Sequence, residues 1–231
     1  MQKKTLLILA ISIAIFAPQS SSWFPKVLVP PAFADLNQVK IISPVDAMKN
    51  ANQHNRRGVN YFREQDYFAA LKEFKIAIAI NPNSQSTAVY YNNLGKVYLI
   101  FGKIQREKNL TRADADFSEM AKTCFERAIM QDCMKFEYYK NLVESYELLG
   151  ITAQRKDFLM KNLNINPFNA IVVAIIFEKQ GKYAPAIMLL DNFVSKNPGL
   201  IITNDVKKFL NTLTQYEDKF EYLGKPPEIT L

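Results

Sequence analysis

The sequence predicts an all-α fold: a solenoid of stacked helix-turn-helix hairpins, closed at its C-terminal end by one capping helix. Small and large apolar residues recur at fixed offsets in a unit of about 34 residues through most of the chain. Within each unit the apolar positions follow the i, i+3, i+4, i+7 spacing of a helix that buries one face. Proline recurs near the unit ends, at Pro82, Pro167 and Pro198. There its missing N–H and its restriction of the preceding residue stop a helix. The composition agrees. With 48% hydrophobic and 22% charged residues the chain is not disordered throughout, and 7 glycines with 11 prolines exclude a collagen-like or linker-dominated chain.

The N-terminus reads as an address. Lys3 and Lys4 precede residues 5–17, which are uncharged and mostly apolar, the n-region and h-region of a secretory signal. At ~1.5 Å per residue that run spans ~20 Å, short of the ~30 Å hydrocarbon core. A small-x-small site, Ala32-Phe33-Ala34, precedes Asp35. Segment 1–34 is therefore expected to be a signal peptide that exports the chain to the periplasm or an equivalent extracytoplasmic space. Cleavage nearer Ser20–Ser22 is one alternative; an uncleaved N-terminal membrane anchor is the other. Segment 1–34 holds Lys3, Lys4 and Lys26 and no acid, so the formal +7 falls to +4 in the rest of the chain. No nucleic-acid partner is expected from that near-balanced remainder.

Residues 35–42 are an expected extended leader, and segment 35–50 runs into the first helix. Ser43-Pro44-Val45-Asp46 carries helix-start chemistry, with Ser at N-cap, Pro at N1 and Asp at N3. The first unit, 51–84, has Gly58, Tyr61, Tyr67, Ala70, Phe74, Ala77 and Pro82. The second, 88–135, has Tyr91, Leu94, Gly95 and Tyr98, with Gly102 at the turn, and resumes at Ala121, Phe125 and Ala128 after fourteen extra residues. A symmetric split of that insertion (about 103–116) would lengthen both helices by about two turns, or ~10 Å. Asn109–Arg112 would form the tip, Thr111 the cap, and Asp114 and Asp116 the first turn of the following helix. The third unit, 136–166, has Tyr139, Leu142, Tyr146, Gly150 and Leu159, with Arg155 where a small residue belongs. The fourth, 167–200, has Val173, Ala174, Phe177, Gly181, Tyr183, Ala186, Leu190 and Pro198. In segment 201–231 an amphipathic helix from Asn204 to Leu223, stopped by Gly224 and Pro226-Pro227, supplies the cap and tail. The small pairs Gly58 with Ala70, and Gly95 with Ala121, allow two helices to approach closely.

These offsets resemble the tetratricopeptide repeat (TPR), over residues 51–200. The resemblance implies a right-handed superhelix whose first helices line a concave groove. It also implies protein–protein interaction without enzymatic activity. Carried onto this sequence, the groove positions are Asn52, Asn55, Val59, Phe62 and Arg63 in the first unit, and Val89, Asn92, Lys96, Leu99 and Ile100 in the second. They are Glu137, Lys140, Glu144, Glu147 and Leu148 in the third, and Phe168, Ile171, Ile175, Glu178 and Lys179 in the fourth. The expected ligand is an extended or helical protein segment. Asn55 and Asn92 would bond its backbone, while Phe62, Leu99 and Ile175 would touch its apolar side chains. The family's carboxylate clamp is absent: its places hold Asn55, Val59, Asn93, Glu137 and Asn141. The alternative is a membrane-anchored assembly factor that docks on a membrane complex through the long second hairpin. The partner's identity and the oligomeric state are not written in the sequence.

Little else suggests chemistry. One histidine and two cysteines leave no metal set, and no H-E-x-x-H, C-x-x-C, G-x-S-x-G or Walker pattern occurs. His54 is expected as a packing or rim residue. Cys124 and Cys133, nine residues apart on a helix or just past it, would stand ~13 Å apart, beyond the reach of a disulfide. Glu137, Glu144 and Glu147 read as a solvated helix face. No cofactor is expected.

Overall fold

A computed structural model of the chain describes residues 43–108 and 116–224, with side chains to Glu217. Segments 1–34 and 35–42, the tip at Asn109–Arg112 with its Thr111 cap, Asp114, and the tail after Gly224 lie outside the described residues. Among the described residues the regular structure is helical: α1 (Pro44–Arg63), α2 (Tyr67–Ile80), α3 (Gln85–Glu107), α4 (Phe117–Gln131), α5 (Phe136–Leu149), α6 (Thr152–Lys161), α7 (Asn169–Lys179), α8 (Tyr183–Lys196) and α9 (Ile202–Gly224). Consecutive helices pair as hairpins, and each hairpin packs on the next.

Local chemistry sets the ends. Ser43 Oγ accepts from the Asp46 amide at 3.1 Å, and Pro44 occupies the first turn of α1, where its absent N–H costs nothing. Asp66 caps α2 by accepting from the Ala69 amide at 3.0 Å. Helices α2 and α8 stop at Ile80 and Lys196, each followed by an Asn-Pro pair. The next helix is then tied to that junction. Thr87 donates to the Asn81 carbonyl at 2.5 Å, and Thr203 to the Asn197 carbonyl at 2.6 Å. The same six-residue stride recurs at two hairpin junctions.

Close approach follows from the small residues. A Cβ on Gly58 would lie 2.6 Å from the Phe74 ring, and one on Gly95 would lie 2.6 Å from the Phe125 ring. The rings therefore rest on bare helix backbone, and both are buried. Their helix pairs, α1 with α2 and α3 with α4, are the most extensively packed in the molecule.

The insertion is not shared symmetrically. Helix α3 runs on to Glu107, whereas α4 begins only at Phe117 with Asp116 as its N-cap, accepting from the Ser118 and Glu119 amides. Gly102 is thus not a turn residue. It is buried inside α3, where a Cβ would meet Ser118 Oγ at 2.7 Å and Leu148 at 2.9 Å.

The C-terminal half differs again. Helix α7 is enclosed by α5, α6 and α8, and every residue from Ala170 to Ile176 is buried. A helix apolar on all sides has no groove-facing stripe. The cap α9 begins at Ile202, two residues before the expected start, packs along α8 and reaches α5. There the Phe209 and Phe136 rings lie 5.1 Å apart. No helix among the described residues is long and apolar enough to cross a membrane.

Candidate functional site

The inner face is built from α1, α3 and α5, whose adjoining side chains bond one another. Between α1 and α3, Tyr90 donates to Asn52 at 2.7 Å and Asn93 donates to Asn55 at 2.9 Å. Between α3 and α5, Asn141 donates to Asn92 at 2.8 Å, Lys96 pairs with Glu137, and Lys103 pairs with Glu144 at 2.5 Å. Arg106 reaches the Leu148 carbonyl at 3.3 Å. Between α5 and α7, Lys179 meets Glu147 at 2.7 Å. The polar rungs thus join successive first helices at a regular stride. Lys96 and Lys103 are seven residues apart, as are Glu137 and Glu144.

Of the expected groove residues, Asn52, Asn55, Asn92, Lys96 and Glu144 are members of this ladder. Asn92 is itself buried. Arg63 is exposed at the end of α1, whereas Phe62 is half-buried with its ring edge-on to Tyr67 at 5.5 Å. Lys140 is exposed, with its Nζ 5.6 Å from both the Phe136 and Phe209 ring centroids. Three residues are placed differently from the expectation. Leu99 (5% exposed), Ile171 (0%) and Ile175 (1%) belong to the core. Leu99 is part of the main apolar cluster, and the two isoleucines are covered by the enclosure of α7. A groove ligand does not reach them.

What α7 withholds, α9 supplies. A cavity of about 340 Å³ is lined by Val89, Asn92, Asn93, Lys96, Phe136 and Asp205. Another of about 560 Å³ is lined by Phe136, Lys140, Glu178, Lys208, Phe209 and Tyr216. Phe136, Glu137 and Asp205 border both, so the two lie side by side in a cleft lined by α3, α5 and α9. Asn141, Phe136, Asp205 and Phe209 were not among the expected groove residues. For the first there was a signal, the asparagine repeated on successive first helices. For the others there was none, because α9 lies outside the repeat.

The titratable groups serve packing. His54 Nδ1 lies 2.7 Å from Glu73, with Arg57 3.5 Å from the same carboxylate, joining α1 to α2. Burial pushes the Cys124 thiol up to about 12, with Arg127 and Lys75 opposing it. Both cysteines are free. Tyr139 is raised by burial, and its hydroxyl donates to the Cys133 carbonyl at 2.9 Å. Among the described residues no group of three or more His, Cys, Asp or Glu is placed to hold a metal ion.

The described helices form an all-α array of stacked helical hairpins. No protein-family profile matches the sequence, and no curated protein matches it. Among solved structures the chain is similar to the TPR domain of Arabidopsis OM64, at 13% identity over 72% of this chain and 98% of that one, with TM-score 0.34. It is similar to the MamA protein at 16% identity, over 77% and 97%, with TM-score 0.40. A thermophilic TPR protein of Thermus thermophilus matches at 16% identity, over 71% and 99%, with TM-score 0.32.

Proposed function

We propose that this chain is a non-enzymatic scaffold that binds an extended segment of another protein in the cleft between α3, α5 and α9. One observation supports the reading above others. Asn55, Asn93, Asn92 and Asn141 each make one side-chain bond to a partner amide. An Asn amide has two donors and an acceptor with two lone pairs. Asn55, Asn93 and Asn141, which are only partly buried, therefore keep bonding capacity for a peptide backbone, while the buried Asn92 holds Asn141 in place. Phe136 and Phe209 offer apolar contact beside them, and Lys140, stacked on both rings, is a cation available to a partner carboxylate.

Export behind residues 1–34 belongs to this proposal, and the expected compartment is extracytoplasmic. The extension of α3 past Gly102 to Glu107 favours one second reading, an anchored assembly factor whose long hairpin reaches a membrane complex. N-terminal sequencing of the protein recovered from cells separates these: a start near Trp23 or Asp35 supports release, an intact Met1 the anchor.

The cleft is tested by crosslinked capture from envelope fractions, with the full-length protein against an Asn93→Ala/Lys140→Ala variant. Loss of a partner that the unaltered protein captures, with the far-ultraviolet circular dichroism unchanged, is expected. Equal recovery of that partner by both proteins overturns the cleft reading.

A further inference from the structure

On the inner face Lys96, Lys103 and Lys179 each meet a glutamate, and Lys140 stands over Phe136 and Phe209. On the opposite side of α3, towards α2 and α4, two more cations stand over rings. Lys75 Nζ stands 5.9 Å from the Tyr98 centroid, and the Arg127 guanidinium 5.5 Å from that of Tyr91, to whose hydroxyl its Nη1 donates at 3.2 Å. Among the described residues neither has a carboxylate partner, and both are exposed. A cation–π contact leaves much of the positive charge available, because a ring carries a quadrupole and no net charge.

Arg127 borders a cavity of about 500 Å³ lined also by Tyr91, Leu94, Tyr98, Met120 and Cys124, and Lys75 stands beside it over the Tyr98 ring. Leu94, Tyr98 and Cys124 form a buried floor, while Met120 is 39% exposed at the mouth. The buried thiol stays neutral, so the floor carries no charge. The slot also has a direction. Asp116 and Glu119 stand at its far end, at the start of α4, and both are already engaged: Asp116 caps α4, and Glu119 pairs with Lys122. The Arg127 end therefore attracts a carboxylate and the Asp116 end repels it, with Lys75 over the Tyr98 ring beside the slot.

We propose that this outer slot docks a partner protein segment in which a large apolar side chain is followed by carboxylates. The apolar group enters the cavity, and the carboxylates face Lys75 and Arg127. The site is separate from the inner cleft, shares no residue with it, and does not depend on it. Charge complementarity selects the occupant, because a basic segment would meet two uncompensated cations.

The test uses the full-length protein and two fluorescein-labelled octapeptides, Gly-Ser-Leu-Phe-Glu-Glu-Ser-Gly and the same peptide with lysine for both glutamates, followed by anisotropy. The acidic peptide is expected to bind roughly tenfold tighter than the basic one. Lys75→Glu with Arg127→Glu removes or inverts that preference, and added salt weakens it. Met120→Glu at the mouth lowers binding of the acidic peptide, while Met188→Glu on the exposed face of α8 leaves it unchanged. If the double charge reversal does not fold, Lys75→Gln and Arg127→Gln are each expected to lower affinity about threefold. Equal affinity for the two peptides, no binding of either, or an acidic-peptide affinity untouched by the substitutions in folded protein overturns the proposal.

Discussion

The first two hairpins and the third solve one packing problem in opposite ways. In α1/α2 and α3/α4 a glycine faces a phenylalanine ring, and the helices close until the ring touches backbone. In α5/α6 Val143 takes the place of the glycine, Leu159 that of the ring, and Arg155 that of the small residue Ala70 or Ala121. The guanidinium sits between rings, 5.2 Å from the Tyr146 centroid and 5.4 Å from that of Phe158, donates to the Tyr146 hydroxyl at 3.3 Å, and approaches Glu126 at 3.6 Å. Its Nε is buried with no partner. Helix α6 buries one residue, Leu159, and packs lightly on α5, which is held instead by α3, α4, α7 and α9. A hairpin that loses its small pair thus persists as a bridge between neighbours. Solenoids allow this, because each unit draws stability from the interfaces on either side.

The largest expected effect tests the close pair. Gly95→Ala improves helix propensity by about 1 kcal/mol, yet its Cβ would enter the buried Phe125 ring, and overpacking costs about 1–3 kcal/mol. Gly95→Val removes the ambiguity, because a β-branched residue adds bulk without that propensity gain. The expected loss is about 3 kcal/mol, read as a lower urea midpoint. In the third hairpin the sign for size reverses: Val143→Ala leaves a void and destabilises, since no ring presses on that position. If Gly95→Val proves neutral, Phe125 has room to retreat and the contrast between the hairpins dissolves.

The small pairs were legible in sequence because steric exclusion is local. A glycine and an alanine at the right separation on two amphipathic stripes demand closeness, whatever lies beyond. Gly102 shows where that logic ends. Repeat register alone puts it at a turn, but the inserted residues let α3 continue, and its missing side chain instead serves contact with Ser118 and Leu148. The groove was legible to a similar depth. Helical spacing places Asn55, Asn92 and Lys96 on one face, but whether such residues bond each other depends on the distance between stacked helices. The matching seven-residue strides of Lys96 to Lys103 and Glu137 to Glu144 were the available signal for the ladder. Ile171 and Ile175 were misplaced because burial of α7 on every side is a property of the assembled array. The reach of α9 to Phe136 lies outside the repeat and had no sequence signature.

Arg155 gives the intermediate effect. An unsatisfied buried N–H costs about 1–3 kcal/mol, while a cation over rings returns about 0.5–1 kcal/mol where solvent still reaches it. Arg155→Met keeps the length and the contact with Tyr146 and Phe158 but removes the orphan donor. The expected outcome is a gain of about 1 kcal/mol, with slower hydrogen exchange in α6 and little change in α1/α2. A loss of that size would mean that the guanidinium clamps α4, α5 and α6 together, and the third hairpin would then be an ionic joint.

The smallest effect concerns the turns, where the two kinds of hairpin exchange advantages. The third and fourth turns place glycine in the left-handed region, Gly150 at φ 71° and Gly181 at φ 68°. The first turn puts Gln65 there, at φ 64°, although its hairpin has the well-matched Gly58 and Phe74. A side chain in that conformation costs about 1 kcal/mol, and glycine gives back part of the difference through its greater freedom in the unfolded chain. Gln65→Gly is therefore expected to stabilise by about 0.5 kcal/mol, and Gly150→Ala to destabilise by about 1 kcal/mol. Paired melts of the two variants read both signs. If Gln65→Gly lowers the midpoint and Gly150→Ala raises it, the turn residues act through the unfolded chain alone. A rise for Gln65→Gly with a fall for Gly150→Ala places the strain in the folded turn, and then the first hairpin holds a poor turn with a good helix contact while the third holds a poor contact with a good turn.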